Sequence, residues 1–447
     1  MKRVHFVSLG CPKNLVDSEI MAGTLQADGY ALVTEPEEAD TIVVNTCGFI
    51  EDSKRESIQK ILEMAELKKI SPKKLVVAGC LTQRYKEDLV QELPEADLFV
   101  GSGEFQNIAS ILREHEKSPD KKTFFHLPTY LQKKETPRLN SQPRHRAYLK
   151  ISEGCMKRCS FCAIPLIRGN LQSRSLENIL SEARLLVAGG VKELLVVSHD
   201  FTDYGWDLRR KDASALESPV ELLRQLQSLS GVHWVRLLYL YPDGITPEMI
   251  ELIAESPKLV KYFDMPLQHI SNQMLKRMNR HMTRKEIISV LDQIRTRIPG
   301  AVIRTQFIVG YPGETEEMFQ ELLQFIQDQE FDRVGCFKYS PEENTPGGKA
   351  TDQIDEETKE RRWNAVMSLA QKISRQKLAR WKGKVLEVIV EGLSDETDLL
   401  LQGRSSQQAP EIDGVVYINE GEARVGDMVR VEITDTHDYD FVGHIVP

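Results

Sequence analysis

The chain is predicted to be α/β and built in three units. These are a flavodoxin-like, doubly wound parallel sheet at the amino end, an open (β/α)6 partial TIM barrel in the middle, and a small antiparallel β-barrel at the carboxyl end. Three observations carry this reading. Apolar, β-rich runs alternate with helical periodicity to about residue 372. Beyond residue 381 the pattern becomes short strands separated by Gly and Asp. Six of the seven cysteines fall just after predicted strands, where α/β folds gather their ligands. A length of 447 residues suits about three domains, divided as 1–125, a linker at 126–143, 144–372 and 381–447.

In the first unit, apolar runs at Val4–Leu9, Thr41–Val44 and Leu75–Ala78 each end in a small-residue turn bearing one cysteine: Cys11, Cys47 and Cys80. Helical periodicity follows each run, at Asp17–Asp28, Ser53–Lys68 and Gln83–Glu92. Strand and helix in alternation imply a parallel sheet, and all three cysteines then converge beyond its carboxyl edge. Packing explains one buried thiol per strand end easily, but three of three less well. A three-cysteine cluster site is the preferred reading, and unrelated core thiols are the alternative. From Glu114 to Arg146 charge runs and prolines suggest a connector, with Glu135–Arg144 its most linker-like part.

The second unit opens with a predicted strand at Ala147–Ser152, followed by Gly154-Cys155-Met156-Lys157-Arg158-Cys159-Ser160-Phe161-Cys162. Three thiolates spaced C-x3-C-x2-C can hold three corners of one [4Fe-4S] cube, leaving an iron open for a small chelating ligand. Structural zinc usually takes four ligands from paired Cys or His, and no fourth Cys or His lies in this run. Five further strands are predicted at Glu193–Ser198, Trp234–Leu240, Lys261–Pro266, Ala301–Val309 and Arg333–Tyr339. Six strands do not close a barrel, so a lateral gap for a large substrate is expected. The strand ends carry Ser198-His199-Asp200, Tyr239-Leu240-Tyr241, Gln268-His269, Gly310-Tyr311-Pro312-Gly313 and Tyr339-Ser340. Singly each has an ordinary structural explanation; together they suggest one cofactor and substrate rim. Cys336 has no partner spacing and reads as a core thiol.

In the third unit, five short strands are predicted at Val385–Val390, Leu399–Gln402, Val415–Ile418, Met428–Asp435 and Tyr439–Ile445. Small barrels of this kind often bind oligonucleotides, but charge opposes that here. From Arg380 onward 6 basic residues face 14 acidic ones, a net of −8. The whole chain carries about −9 from 58 Lys+Arg and 67 Asp+Glu, which disfavours broad nucleic-acid binding and favours a basic protein partner. The opening residues are too weakly apolar for a signal segment, and no run approaches a membrane span. With an odd number of scattered cysteines, the expectation is a reducing cytoplasm and no membrane association.

Taken together these motifs resemble one family over essentially the whole chain: the radical S-adenosylmethionine (SAM) methylthiotransferases, which end in a TRAM barrel. Ser8-Leu9-Gly10-Cys11-Pro12-Lys13-Asn14-Leu15-Val16-Asp17-Ser18-Glu19, Asn45-Thr46-Cys47-Gly48-Phe49-Ile50 and Gly154–Pro165 are similar to the branch that modifies a ribosomal protein. The resemblance implies a methylthio group placed on the β-carbon of an aspartate in small-subunit ribosomal protein twelve. It implies two [4Fe-4S] clusters, on Cys155, Cys159 and Cys162 and on Cys11, Cys47 and Cys80, with SAM and an electron donor such as flavodoxin or ferredoxin. Gly190 and Glu193, in a glycine-rich segment, and Gln268, Arg304 and Tyr311 are the implied SAM contacts. His199 and the run Asn344-Thr345-Pro346-Gly347-Gly348 depart from the family's usual residues. The competing functions are a tRNA adenosine methylthiotransferase and a non-catalytic ribosome-associated metal module.

Overall fold

The computed structural model describes residues 1–128, 131–133 and 136–447. Glu135, the predicted start of the linker-like stretch, lies outside the described residues. The amino-terminal unit is a six-stranded, wholly parallel sheet of β1 (Arg3–Ser8), β2 (Ala31–Leu32), β3 (Thr41–Thr46), β4 (Lys74–Gly79), β5 (Leu98–Gly101) and β6 (Thr123–Phe124). Its order, β2-β1-β3-β4-β5-β6, is flavodoxin-like. Alternation along each strand feeds two cores. Val43, Val76 and Val100 pack against α1 (Pro12–Ala27) and α4 (Ile108–Lys117), whereas Ile42, Val77 and Phe99 pack against α2 (Glu51–Glu66) and α3 (Cys80–Glu92). All three predicted helices begin earlier than periodicity suggests. Pro12 occupies the first turn of α1, where its missing N–H costs nothing, so Cys11 becomes the residue that caps the helix.

The central unit has six parallel strands, β7 (Arg146–Lys150), β10 (Glu193–Val197), β11 (Trp234–Leu237), β12 (Tyr262–Gln268), β13 (Val302–Val309) and β14 (Arg333–Lys338). They form two three-stranded sheets, β7-β10-β11 and β12-β13-β14, joined at the bridge Val235–Leu259. A small hairpin, β8 (Ser152–Glu153) with β9 (Gln172–Ser173), clasps the cysteine run and the short helix α5 (Ile164–Arg168). The outer layer is α6 (Leu176–Ala188), α7 (Trp206–Lys211), α8 (Pro219–Ser228), α9 (Pro247–Glu255), α10 (Asn272–Arg277), α11 (Arg284–Arg297), α12 (Glu316–Gln329) and α13 (Glu356–Ala379). Ser175, Ser218, Thr246, Thr283, Thr315 and Asp355 cap six of these through the side chain, each worth about 1 kcal/mol. Among the described residues no helix is long and apolar enough to cross a membrane.

The barrel is open between β7 and β14, but the amino-terminal unit bridges that opening at the strands' carboxyl ends. On one edge Asp17 of α1 pairs with Lys150, the last residue of β7. On the other, Lys54 and Arg84 of α2 and α3 pair with the buried Glu342 beyond β14, at 3.4 and 2.7 Å. The predicted gap therefore leads into a seam between two units. The connector is pinned as well: Arg138 lies buried between Glu19 of α1 (2.6 Å) and Glu182 of α6. A Cβ at Gly23 would stand 2.7 Å from the Arg138 amide, so only glycine lets the connector cross α1 there.

The last unit is a closed barrel of β15 (Val385–Leu393), β16 (Leu401–Ser405), β17 (Val416–Glu420), β18 (Met428–Thr436) and β19 (Phe441–Val446). It is not purely antiparallel, since β17 and β19 run parallel. It docks on the amino ends of the central strands. Glu193 bonds Arg236 and, from the terminal barrel, Arg404, each at 2.7 Å. Glu391 meets Arg146 at 2.8 Å, and Asp413 accepts from the Tyr262 hydroxyl at 2.7 Å. Part of the acidity read as a surface for a basic partner thus neutralises arginines of the same chain.

This placement corrects the reading of Gly190 and Glu193 as SAM contacts. Gly190, at φ +105°, turns the chain from α6 into the first residue of β10, and Glu193 pairs in register with Arg146 at the start of β7. Both lie at the opposite end of the barrel from the cysteine run. Glu193 is a fully buried docking residue between two arginines. Glu193→Gln should therefore lower unfolding free energy by about 3 kcal/mol, because it strips charge from a buried ionic cluster, while SAM affinity stays unchanged. Chemical denaturation and calorimetric titration with SAM check this; weaker SAM binding at unchanged stability would restore the cofactor role.

Candidate functional site

The run Cys155–Cys162 is held in a non-helical loop by bonds to three separate loops of the rim. Gly154, at φ +68°, makes the entry turn; a Cβ there would stand 2.1 Å from the Asn170 carbonyl oxygen. The Cys155 amide donates to Gly169 O (3.2 Å) and the Ser160 amide to Met278 O (3.0 Å), while Ser160 O accepts from the Gly347 amide (2.8 Å). The Ser160 hydroxyl bonds Arg277 O and lies 2.7 Å from the Tyr311 hydroxyl. The Arg280 guanidinium stacks 3.8 Å from the Tyr241 ring centre and points at Cys159 Sγ, 3.7 Å away. Lys157 sits within 3.7 Å of Asp200, Asp203 and Asp243. Burial pushes Cys155 and Cys162 up to about 12, so as free thiols they keep their protons at neutral pH.

The other trio stands at helix starts beyond β1, β3 and β4. Cys11 caps α1, Cys80 is the first residue of α3, and Cys47 lies in the turn before α2. Partial positive charge at a helix start favours a thiolate. Opposing this, burial pushes Cys80 up to about 12 and raises Cys47. Gly10 sits so close to Cys47 that a Cβ would meet the cysteine's own Cβ at 2.7 Å. Asn45 donates to Asn14 O and Ser18 Oγ, each at 2.8 Å, tying the first two cysteine turns together.

The two trios are neighbours. Cys80 packs against Ala163 and Ile167, the first of which follows Cys162 directly. Arg168, six residues past Cys162 and 1% exposed, donates to Cys80 Sγ through Nε and Nη2 at 3.2 and 3.1 Å. Its Nη1 pairs with Asp17 (2.6 Å) and Glu153 (3.3 Å), and Nη2 also reaches Asn14 Oδ1 (3.0 Å). Lys150 completes the cluster by bonding Asp17 and, at 3.0 Å, Glu153. Lys150 and Arg168 hold Glu153 down to about 2 against the opposing effect of its burial. Among the described residues, no group of three or more His, Cys, Asp or Glu is gathered closely enough to hold a metal ion.

Of the remaining predicted contacts, Gln268 and Tyr311 stand at the rim. Gln268 ends β12 with φ +71°, and Tyr311 touches the cysteine loop through Ser160. Arg304 is instead engaged lower in the barrel, by Asp264 at 2.7 Å and by Asp413 of the terminal barrel at 3.8 Å. His199 is partly buried, with its buried Nε2 unpartnered among the described residues, and the next residue, Asp200, is raised to about 7 by burial and by Asp203. Cys336 lies in the barrel core, as expected. Arg168, Lys13 and Lys157 went unrecognised in the sequence. Their signal was an excess of polar residues where α1 and the cysteine loop face inward: Lys13, Asn14, Asp17, Ser18 and Glu19 are all buried.

Comparison with known proteins places this arrangement. Three family models match: "Uncharacterized protein family UPF0004" over residues 3–101, the radical SAM superfamily over 149–326 and the TRAM domain over 383–446. Among solved structures, the radical SAM methyltransferase TsrM from Kitasatospora setae aligns with a TM-score of 0.58 at 15% identity, covering 78% of this chain and 75% of that one. The cobalamin-dependent radical SAM enzyme OxsB aligns at 0.52 and 14% identity, covering 83% and 56%; both likenesses concern the fold. The ribosomal protein uS12 methylthiotransferase RimO of Bdellovibrio bacteriovorus is 69% identical over 446 residues, covering 100% of this chain and 98% of that protein. The protein of the same name from Geobacter sulfurreducens is 48% identical, covering 100% and 99%. With identity at this level over its full length, the chain belongs to the RimO family of radical SAM methylthiotransferases.

Proposed function

We propose that this enzyme places a methylthio group on the β-carbon of an aspartate in ribosomal protein uS12, using SAM and two [4Fe-4S] clusters. Cys155, Cys159 and Cys162 hold one cluster, and Cys11, Cys47 and Cys80 hold the other. The observation that carries the proposal is the adjacency of two three-cysteine sets, each at the carboxyl edge of its own parallel sheet, with Arg168 reaching from one to the other. A single substrate carbon placed at that seam can meet both.

The residues suit these groups chemically. Thiolates of one [4Fe-4S] cube go to different irons, so they need not crowd a single point as zinc ligands do. The buried thiols would exchange protons for iron, which removes the cost of ionising them in apolar surroundings. Buried atoms beside the Cys155 loop that make no hydrogen bond among the described residues, namely Asp200 Oδ2, Asp203 Oδ2 and the Tyr241 hydroxyl, offer polar partners to a small zwitterionic ligand such as SAM. When bound, these groups supply the radical that removes hydrogen from an unactivated carbon, and the sulfur and methyl that replace it.

The chain's own part is to hold and to shield. Tyr311 and Arg277 fix Ser160, and through it the loop between Cys159 and Cys162. Arg168 and Arg280 aim N–H groups at Cys80 and Cys159, so thiolate charge at those sulfurs meets a guanidinium. Ala163 and Ile167 keep the contact between the two trios dry. The exposed acids Asp395, Glu396, Asp398, Glu420 and Glu422 of the terminal barrel disfavour a phosphate backbone and suit a basic ribosomal protein. The electron would come from a flavodoxin- or ferredoxin-type donor.

Two experiments test this. Anaerobically reconstituted Cys155→Ala and Cys11→Ala proteins should each lose about one cluster's worth of iron and sulfide and keep the other; unchanged iron in either variant refutes that site. Mass spectrometry of a deletion strain should show loss of the methylthio mark from uS12 with thiomethylated tRNA intact. Loss of the tRNA mark alone would establish the nucleic-acid reading instead.

A further inference from the structure

Among the described residues, Lys13 is a buried lysine that forms no ion pair with a carboxylate. It is 6% exposed, and its ammonium makes one long hydrogen bond, to Ser198 O at 3.4 Å, and lies 3.5 Å from the centre of the Tyr239 ring. Every nearby carboxylate is already taken. Asp17 and Glu153 are held by Lys150 and Arg168, and Asp264 by Arg304. Among the described residues, two more polar atoms at this strand end lack hydrogen-bond partners: Ser198 Oγ and His199 Nε2, both buried. The closest carboxylate oxygen to His199 Nε2 is that of Glu153 at 4.0 Å, beyond a hydrogen bond. Tyr239, against which Lys13 rests, has φ +62°, a costly conformation for a non-glycine residue and one that tends to persist where function demands it.

Burying a charge and two polar groups unpaired is strongly unfavourable unless something else satisfies them. The common complement of an ammonium, a hydroxyl and an imidazole N–H is a carboxylate, which can accept from all three. The location is equally specific. Lys13 stands two residues past Cys11 in the first turn of α1, and Ser198-His199 follows β10 directly, just before the aspartate that neighbours Lys157 of the other cysteine loop. Resting on the function proposed above, we propose that Lys13, Ser198 and His199 form the binding site for the side-chain carboxylate of the aspartate being modified. They hold it at the seam between the trios and distinguish it from an uncharged side chain. The carboxylate of SAM shares this chemistry, but Lys13 belongs to the turn of the amino-terminal trio, so the substrate side chain is the assigned occupant.

The test uses reconstituted holoenzyme with uS12 carrying either Asp or Asn at the modified position. Equilibrium binding is measured for Lys13→Met, Lys13→Arg, His199→Gln and the unaltered enzyme, together with SAM affinity and iron content. Lys13→Met should weaken binding of the Asp protein about tenfold, leave the Asn protein unaffected and keep SAM affinity and iron content unchanged. Lys13→Arg should recover part of the loss, and His199→Gln should reduce the Asp preference to a smaller degree. Undiminished preference for Asp in Lys13→Met overturns the assignment. So does a fall in SAM affinity with uS12 binding intact, which would give the site to the cofactor. If the unaltered enzyme binds and modifies neither form of uS12, the functional reading beneath it fails and this one falls with it.

Discussion

Asp17, Lys150, Glu153 and Arg168 form a buried ionic knot on which the two halves of the site depend. Each charge is tolerable in burial because oppositely charged partners stand within hydrogen-bonding range. Two carboxylates against two cations make the knot internally neutral. Asp17 comes from the sheet that bears Cys11, Cys47 and Cys80, and the other three come from the barrel that bears Cys155, Cys159 and Cys162. The knot therefore sets where one trio sits relative to the other. Arg168 adds the final link, because the same guanidinium that neutralises Asp17 and Glu153 also touches Cys80.

The terminal barrel uses comparable chemistry at the far end. Glu193, Arg236, Arg404, Glu391 and Arg146 form a second buried ionic chain, with Asp413 nearby among Tyr262, Arg304 and Arg333. The central barrel is thus clamped at both ends by charge rather than by apolar surface alone. This explains why its strands begin with arginines and a glutamate that an ordinary parallel barrel would not bury.

The backbone was largely legible in the sequence, and the reason is local. Thr41–Val44 and Leu75–Ala78 read as strands because an apolar β-branched run has few other uses, and all six central strands were recognisable for the same cause. The six cysteines were legible through spacing and position after strands. Helix starts were read late because Pro12-Lys13-Asn14 and Cys80-Leu81-Thr82 lack the apolar stripe that periodicity detects. The buried polar residues of α1 were not legible, since their partners lie far along the chain: Arg138 is 119 residues from Glu19 and Arg168 is 151 from Asp17. The resemblance sets Gly190 and Glu193 beside SAM, whereas Gly189 and Gly190 end a helix and turn the chain at the amino end of the barrel.

The way the connector crosses α1 bears on how the molecule can be taken apart. Arg138 lies against Gly23 and pairs with Glu19 on one side and Glu182 on the other, so the segment between the two large units is a clasp and not a tether. A fragment ending before it would expose Asp17 and Glu19 on a helix shaped to be covered. A fragment beginning after it would leave Lys150 and Arg168 in an apolar wall with too little negative charge. Each half is incomplete as a solute, and the chain behaves as one molecule whose domains share their electrostatics and cannot be exchanged as modules.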